Sequence, residues 1–246
     1  DDVVELSKNI WEGRDYIPEV FDKWVEEGGF YCGKLDGKII ALDKYTWQYN
    51  DVIWLEGLRV HPDYRGKGYA RRLVDELMDI LEELDYKAVR FLTTSTKWPV
   101  IKLAFDYGFE VMQEYDYLSM DKEEISEKEI QKIDYEIHRE DDVDEVYQFI
   151  LNSDEFDWNK GQYMKHWTTY DLSKELIDKE IEEGRCYSIR DDGISSLIFL
   201  FYHELKKNLS IPFISGKPIE VLPLFRYGLN LCLKEGYTNY SIKTAS

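Results

Sequence analysis

The run Arg65-Gly66-Lys67-Gly68-Tyr69-Ala70 most constrains this chain, because it has to turn a strand into a helix within a few residues. Residues 51–60 (DVIWLEGLRV) are rich in β-branched and aromatic side chains and predict a strand, which Pro62 and Asp63 then end. Behind the turn, Leu73, Leu77, Ile80, Leu81 and Leu84 share one stripe, while Arg71, Arg72, Asp75, Glu76, Asp79, Glu82 and Glu83 take the other face. That spacing predicts an amphipathic helix from Gly68 to Leu84. The first turn of a helix carries unpaired N–H groups and a partial positive charge, so an anion placed there gains hydrogen bonds together with the dipole field. Gly66 and Gly68 let such an anion approach the backbone, and Arg65 and Lys67 add charge. Taken alone, the turn reads as a diphosphate cradle or, equally, as a solvated basic loop.

The strand, loop and helix together resemble the acetyl-CoA site of the GNAT superfamily of N-acetyltransferases, whose signature is (R/Q)xxGx(G/A). Arg65, Gly68 and Ala70 match it, after Leu58, Val60 and Pro62 in an L-x-V-x-P run. Downstream, AVRFLTT (88–94), a helix from Trp98 to Tyr107 and then Gly108-Phe109 follow the family's order. The resemblance implies an α/β fold with a mixed sheet, the acyl-CoA N-acyltransferase fold, and acetyl-CoA as cosubstrate. It assigns cofactor contacts to Leu58, Arg59, Val60, Arg65, Gly66, Lys67, Gly68, Tyr69 and Ala70. A backbone N–H between Leu58 and Val60 would face the thioester carbonyl.

From the N-terminus, Val3, Val4, Leu6 and Ile10 predict one helix, and Ile17, Val20, Phe21, Trp24 and Val25 a second, ending at Gly28-Gly29. Strands follow over Phe30 to Leu35 and Lys38 to Tyr49, joined at Asp36-Gly37, a two-residue hairpin dipeptide. A further turn at Asn50-Asp51 leads into the strand above, and Glu110 to Met120 is expected to supply the last strand of this unit. The charged run 121–134 marks a boundary. Beyond it, Glu182-Glu183-Gly184, Tyr187, Arg190, Asp192 and Gly193 repeat Glu26-Glu27-Gly28, Tyr31, Lys34, Asp36 and Gly37, each 156 residues later. Asp141-Asp142-Val143 likewise repeats Asp1-Asp2-Val3 at an offset of 140, and Tyr237 with Ser246 repeats Tyr86 with Ser95 at 151.

Two GNAT-like copies in tandem are therefore expected: 1–122 as the catalytic domain, 123–134 as a linker and 135–246 as a degenerate copy. The offsets place about sixteen extra residues near Trp158 to Tyr170 and a five-residue loss at the second copy's phosphate turn, where ISGKPIEVLPLF has no RxxGxG. By the same comparison the first copy lacks an opening strand like Tyr135 to Arg139, and the second stops after its fifth strand.

Composition bounds the rest. At 246 residues and 43% hydrophobic, the chain can bury ample cores. It holds no run of 18 apolar residues and no visible signal peptide, so a membrane partner is not expected. Cys32, Cys186 and Cys232 are scattered, and His61, His138, His166 and His203 are widely spaced, so neither a disulfide framework nor a metal site is expected. The setting read from this is reducing and cytoplasmic. A net charge of −19 disfavours nucleic acid and is compatible with a cationic substrate. Monomer or weak dimer is the expected state.

Acetyl transfer needs a neutral amine, a polarised carbonyl and a proton donor for the leaving thiolate. By family resemblance Glu56, on the strand before the loop, is the candidate base; the competing reading is an exposed strand carboxylate. Where many members carry a tyrosine four residues before the Gly-Phe, this chain has Ala104, which leaves Tyr107 as the nearest candidate acid, with core packing as its other role. Lys97 replaces the asparagine many members carry at the start of that helix, and reads either as a phosphate contact or as a solvated lysine. Substrate contacts are sought among Trp11, Arg14, Tyr16, Trp24, Tyr45, Trp47 and Tyr49, with Tyr16, Trp24 and Trp47 preferred as walls for a flat or cationic amine. The runs GRDYIPEVFDKW and LEGLRV also resemble the histidine N-acetyltransferase branch, which suggests histidine or a related small amine. Two other functions stay open: a protein N-terminal or lysine acetyltransferase, and a regulatory module that binds an acyl-CoA without turning it over.

Overall fold

A computed structural model describes residues 2–8, 10, 15–124, 133–203 and 207–245; the candidates Trp11 and Arg14 and most of the expected linker lie outside them. The chain divides into two compact units, Asp1–Phe109 and Glu110–Ser246.

The first unit runs α1 (Asp2–Ser7), α2 (Ile17–Glu27), β1 (Phe30–Leu35), β2 (Lys38–Trp47), β3 (Val52–Val60), α3 (Tyr69–Glu82), β4 (Ala88–Arg90), α4 (Trp98–Asp106). Its sheet has the order β1-β2-β3-β4, with only the β3–β4 pair parallel. The β1–β2 connection turns through Asp36 and Gly37, both at positive φ (50° and 80°), the twist a two-residue hairpin needs. The helical stripes sort to opposite faces. Val3, Leu6, Ile10, Ile17 and Trp24 pack with Leu42 on one side, and Leu77 and Leu81 of α3 pack with Ile53 on the other.

Two irregularities shape β3. Its parallel neighbour β4 accompanies it only from Val52↔Ala88 to Trp54↔Arg90, so beyond Trp54 the two strands no longer pair. The strand expected over 88–94 is short for this reason: residues 91–94 leave toward a turn in which the Lys97 N–H donates to the Thr94 carbonyl at 2.9 Å. On the other edge the ladder passes from Leu42↔Arg59 to Lys44↔Glu56, two residues of β2 against three of β3. The extra residue is a bulge at Gly57-Leu58, and Gly57 takes φ +81°, where a side chain would be strained.

The second unit holds β5 (Tyr115–Asp121), β6 (His138–Arg139), α5 (Val143–Leu151), α6 (Asp154–Trp158), β7 (Gln162–Lys165), β8 (Thr168–Asp171), α7 (Lys174–Glu182), β9 (Cys186–Arg190), β10 (Ile194–His203), β11 (Asn208–Gly216), α8 (Pro218–Lys234) and β12 (Asn239–Ala245). Its main sheet has the order β5-β12-β11-β10-β9-β6, with β11 and β12 parallel. The repeat is visible in the elements, since β9, β10 and β11 begin at 186, 194 and 208, each 156 residues after β1, β2 and β3. Helix α6 and the β7–β8 hairpin occupy the stretch of extra residues, and eight residues (61–68) between β3 and α3 shrink to Lys217 alone between β11 and α8.

One expectation is corrected. The strand expected over Glu110 to Met120 forms as β5, but it pairs with β12, from Asn239↔Asp121 to Ala245↔Tyr115, rather than closing the first unit's sheet. Strand β5 falls in the second unit, which begins at Glu110. Length explains the preference: β12 offers a seven-residue ladder, whereas β4 is three residues long. Among the described residues no helix is long and apolar enough to cross a membrane.

Candidate active site

Strand β3 carries three kinds of group in succession: Glu56, the bulge, and the turn into α3. Glu56 lies opposite Lys44 in the ladder, and its Oε1 accepts a hydrogen bond from Thr46 Oγ1 at 2.7 Å. Burial raises its pKa above the ordinary carboxylate value, while the Thr46 bond and the charge of Lys44 partly oppose that. It is therefore not a freely solvated strand carboxylate. Lys44 is itself 1% exposed; its Nζ donates to the Gly28 carbonyl at 2.8 Å and lies 3.4 Å from the Glu27 carboxylate.

Past the bulge, Arg59 places a two-pronged grip on buried Asp15, Nε to Oδ2 at 3.0 Å and Nη2 to Oδ1 at 3.2 Å. The Tyr16 ring centroid is 5.8 Å from that guanidinium, and burial, opposed by Arg59, pushes the Tyr16 hydroxyl up to about 12. Tyr16 thus stands beside Glu56 and Arg59 as a half-buried wall. Trp24 does not. At 5% exposure its ring belongs to the α1–α2 core, crosses Tyr16 edge-on at 5.8 Å and covers Gly57, because the apolar stripe of α2 turns it inward. Trp47 stays 45% exposed at the end of β2.

The bulge decides which backbone groups are available. His61 N–H bonds the Ile40 carbonyl at 2.8 Å, which makes Leu42↔Arg59 the next hydrogen-bonded pair and turns the backbone groups of Leu58 and Val60 toward the edge that β4 has left. On that edge the carbonyls are taken by arginines: Arg59 Nη1 donates to Leu58 O at 3.1 Å and Arg65 Nε to Val60 O at 3.0 Å. The N–H groups of Leu58 and Val60 face the same way and are suited to a carbonyl oxygen. Buried Asp43, on β2 between those two register pairs, is pushed up to about 8 by burial; nothing in the sequence singled it out.

Gly66 and Gly68 both take positive φ (72° and 81°), and nothing beyond the adjoining chain lies within 4 Å of where a Cβ on either would sit. Gly68 caps α3 without any side-chain hydrogen bond, and the first turn holds no acidic residue. The N–H groups that open α3, on Tyr69 and Ala70, thus lie under an open glycine shelf. This arrangement fits a diphosphate. Arg65 and Lys67 each brace the loop as well, Lys67 Nζ donating to the Asp63 carbonyl at 2.9 Å.

Lys97 begins α4 and is exposed. Tyr107, the candidate acid, is engaged by α3. Its hydroxyl turns to α3, donating to the Asp75 carboxylate with the Arg71 carbonyl 3.3 Å away, and burial plus Asp75 push it up to about 12. Its position one residue past the end of α4 points it at the neighbouring helix.

In the second unit the equivalent turn is filled by protein. Lys217 N–H donates to Ser196 Oγ at 3.0 Å, and Ser195 and Ser196 donate to the Glu220 carboxylate at 2.6 and 2.7 Å, in the first turn of α8. Burial pushes that carboxyl up, but the serines and Lys217 outweigh it and hold it below the ordinary range. A Cβ on Gly216 would lie 2.2 Å from Ser196 Oγ.

Sheet order, bulge and glycine turn define the acyl-CoA N-acyltransferase architecture. Residues 2–109 match the acetyltransferase (GNAT) family. Over 99% of its length the chain is similar to a GCN5-related N-acetyltransferase from Sphaerobacter thermophilus, with a TM-score of 0.64 at 11% identity and 81% of that chain covered. A GCN5-related N-acetyltransferase from Kribbella flavida gives a TM-score of 0.52 at 11% identity, over 99% of this chain and 61% of that one. These likenesses show the fold. Among curated proteins, 73 residues are 36% identical to histidine N-acetyltransferase of Scomber australasicus and 33% identical to that of Oreochromis niloticus, covering 28% of this chain. The match spans about a fifth of the length of those relatives (22%).

Proposed function

We propose that the chain is an acetyl-CoA-dependent N-acetyltransferase acting on a primary amine, and that the amine is small and amino-acid-like, of the histidine type. The observation that carries this reading is that one strand presents Glu56, the outward N–H groups of Leu58 and Val60, and an open helix N-terminus in sequence. Acetyl-CoA supplies the acetyl group as a thioester. Arg65, Gly66, Lys67, Gly68, Tyr69 and Ala70 hold the diphosphate, Leu58 and Val60 receive the carbonyl oxygen, and exposed Lys97 contributes charge nearby. Glu56 accepts the amine proton, directly or through water, and Tyr16 with Trp47 lines the approach. A thiol with a pKa of about 8.5 can leave as thiolate and take its proton from water, so Tyr107 is not needed as an acid. The short local match to histidine N-acetyltransferases supports the acceptor class. As a proposal, the setting is cytoplasmic, the reducing compartment that scattered cysteines suit.

In this reading the second unit is a degenerate copy that holds no acetyl-CoA, with Glu220 standing where the diphosphate would be. The engagement of Tyr107 by Asp75 favours one other reading, a module that binds acyl-CoA without turnover. Thiol release from acetyl-CoA, assayed over a panel of small amines and peptides with the full chain and its Glu56→Gln variant, separates them. Amine-dependent release that requires Glu56 supports catalysis; binding of acetyl-CoA with no release on any amine supports the module.

A further inference from the structure

Glu56 has two oxygens, and only one of them is committed. Thr46 Oγ1 donates to Oε1 at 2.7 Å, across a ladder in which β2 and β3 regain register after the bulge, from Lys44↔Glu56 to Thr46↔Trp54. The carboxyl is half-buried on the face that α1 and α2 cover, where a longer side chain without a partner would have several rotamers to choose from. A hydroxyl anchored on a strand removes that choice, because threonine is stiff at χ1 and Thr46 is held opposite Trp54 in the ladder.

We infer that Thr46 is the positioning residue of the amine site: it pins Oε1 of Glu56 and leaves Oε2 as the oxygen that meets the acceptor. The inference deepens the proposed role of Glu56 and rests on it. Because a hydroxyl bonds a charged carboxylate oxygen more strongly than a neutral carboxyl, the same bond favours the ionised form that a base requires. The other charged groups around Glu56 do not share this geometry. Lys44, opposite it on β2, is held by Gly28 and Glu27; Lys23 and Glu27 of α2 act on Glu56 with opposite signs; Tyr16 and Asp43 feel it only through charge. Among the described residues around Glu56, it is Thr46 that hydrogen-bonds the carboxylate.

The test uses Thr46→Val, which keeps the shape and β-branching and removes the donor, beside Thr46→Ser, which keeps the donor, and Glu56→Gln as control. With an amine that the parent acetylates, the acid limb of the kcat–pH profile is read for each. Loss of a donor to the ionised form raises the pKa of the base, so activity in Thr46→Val should fall about tenfold on the acid limb and less than about threefold on the alkaline plateau, equivalent to a limb moved up by about one unit. Thr46→Ser should restore the limb, and the KM for acetyl-CoA should not change in either. An acid limb unmoved in Thr46→Val while Glu56→Gln is impaired overturns the role of Thr46. Full turnover in Glu56→Gln overturns the base assignment and the inference with it. Thermal melts of both Thr46 variants identify a folding defect, and in that event the Thr46→Ser limb alone decides: a limb displaced despite the retained hydroxyl contradicts the inference.

Discussion

Trp24 packs its indole over the bare Cα of Gly57, so closely that a Cβ there would lie 2.7 Å from Cζ3 and 2.9 Å from Cη2 of the ring. The ring cannot retreat, because it is 5% exposed and backed by Leu6, Ile17 and Leu42. The contact fixes the bulge, and the bulge fixes where the Leu58 N–H points. Gly57→Ala should therefore combine the strain of φ +81° with a core clash, lowering stability by about 1–3 kcal/mol and turnover by at least about tenfold. Melting temperature and thiol release measure the two; a variant as stable and active as the parent removes the bulge from the account.

The pH dependence of catalysis should follow Glu56. Burial raises its pKa, and a base works only when ionised, so the acid limb of kcat should lie above the range of a solvated carboxylate. Glu56→Gln should abolish that limb and cut kcat about a hundredfold while leaving acetyl-CoA affinity within about twofold. A parent profile with its acid limb at the ordinary glutamate value would speak against a half-buried base.

Stability should respond to pH through Asp43. Its folded-state pKa is raised from 3.8 to about 8, so the folded protein keeps a proton that the unfolded chain loses near pH 4. The stability tied to that proton is fully present below pH 3.8 and is lost as pH rises toward 8, at up to about 1.4 kcal/mol per pH unit. Asp43→Asn, which cannot ionise, should flatten this fall. Chemical denaturation of both proteins at pH 5, 6.5 and 8 checks it; parallel curves would mean that Asp43 titrates normally.

How much of this was legible in sequence depended on how local the cause was. The turn from Arg65 to Ala70 was readable because glycine and helix periodicity act within a few residues, and the structure gives Gly66 and Gly68 the positive φ that such a turn needs. The repeat was readable too, and its offset of 156 recurs in the starts of three strands. The partner of β5 was not, because strand pairing is decided by an edge more than a hundred residues away. Trp24 and Trp47 looked alike as aromatic residues; which one faces the core depends on the rotation of α2 and the end of β2. Thr46 and Asp43 went unnoticed because their nearness to Glu56 and Arg59 follows from a register that shifts at Gly57, and Asp15 because it reaches Arg59 from just before α2, 44 residues away in sequence. A glycine inside a strand-like run was the one signal that could have announced that shift.

On this reading a single acetyl-CoA binds the chain, on the turn before α3. Calorimetric titration of the full chain and of Gly68→Asp tests it most directly, since the aspartate would fill the open shelf above Gly68 and set a negative charge at the helix start. One equivalent per chain, with affinity at least about tenfold lower in the variant, about 1.4 kcal/mol, is the predicted result. Two equivalents per chain, or equal affinity in the two proteins, would contradict it.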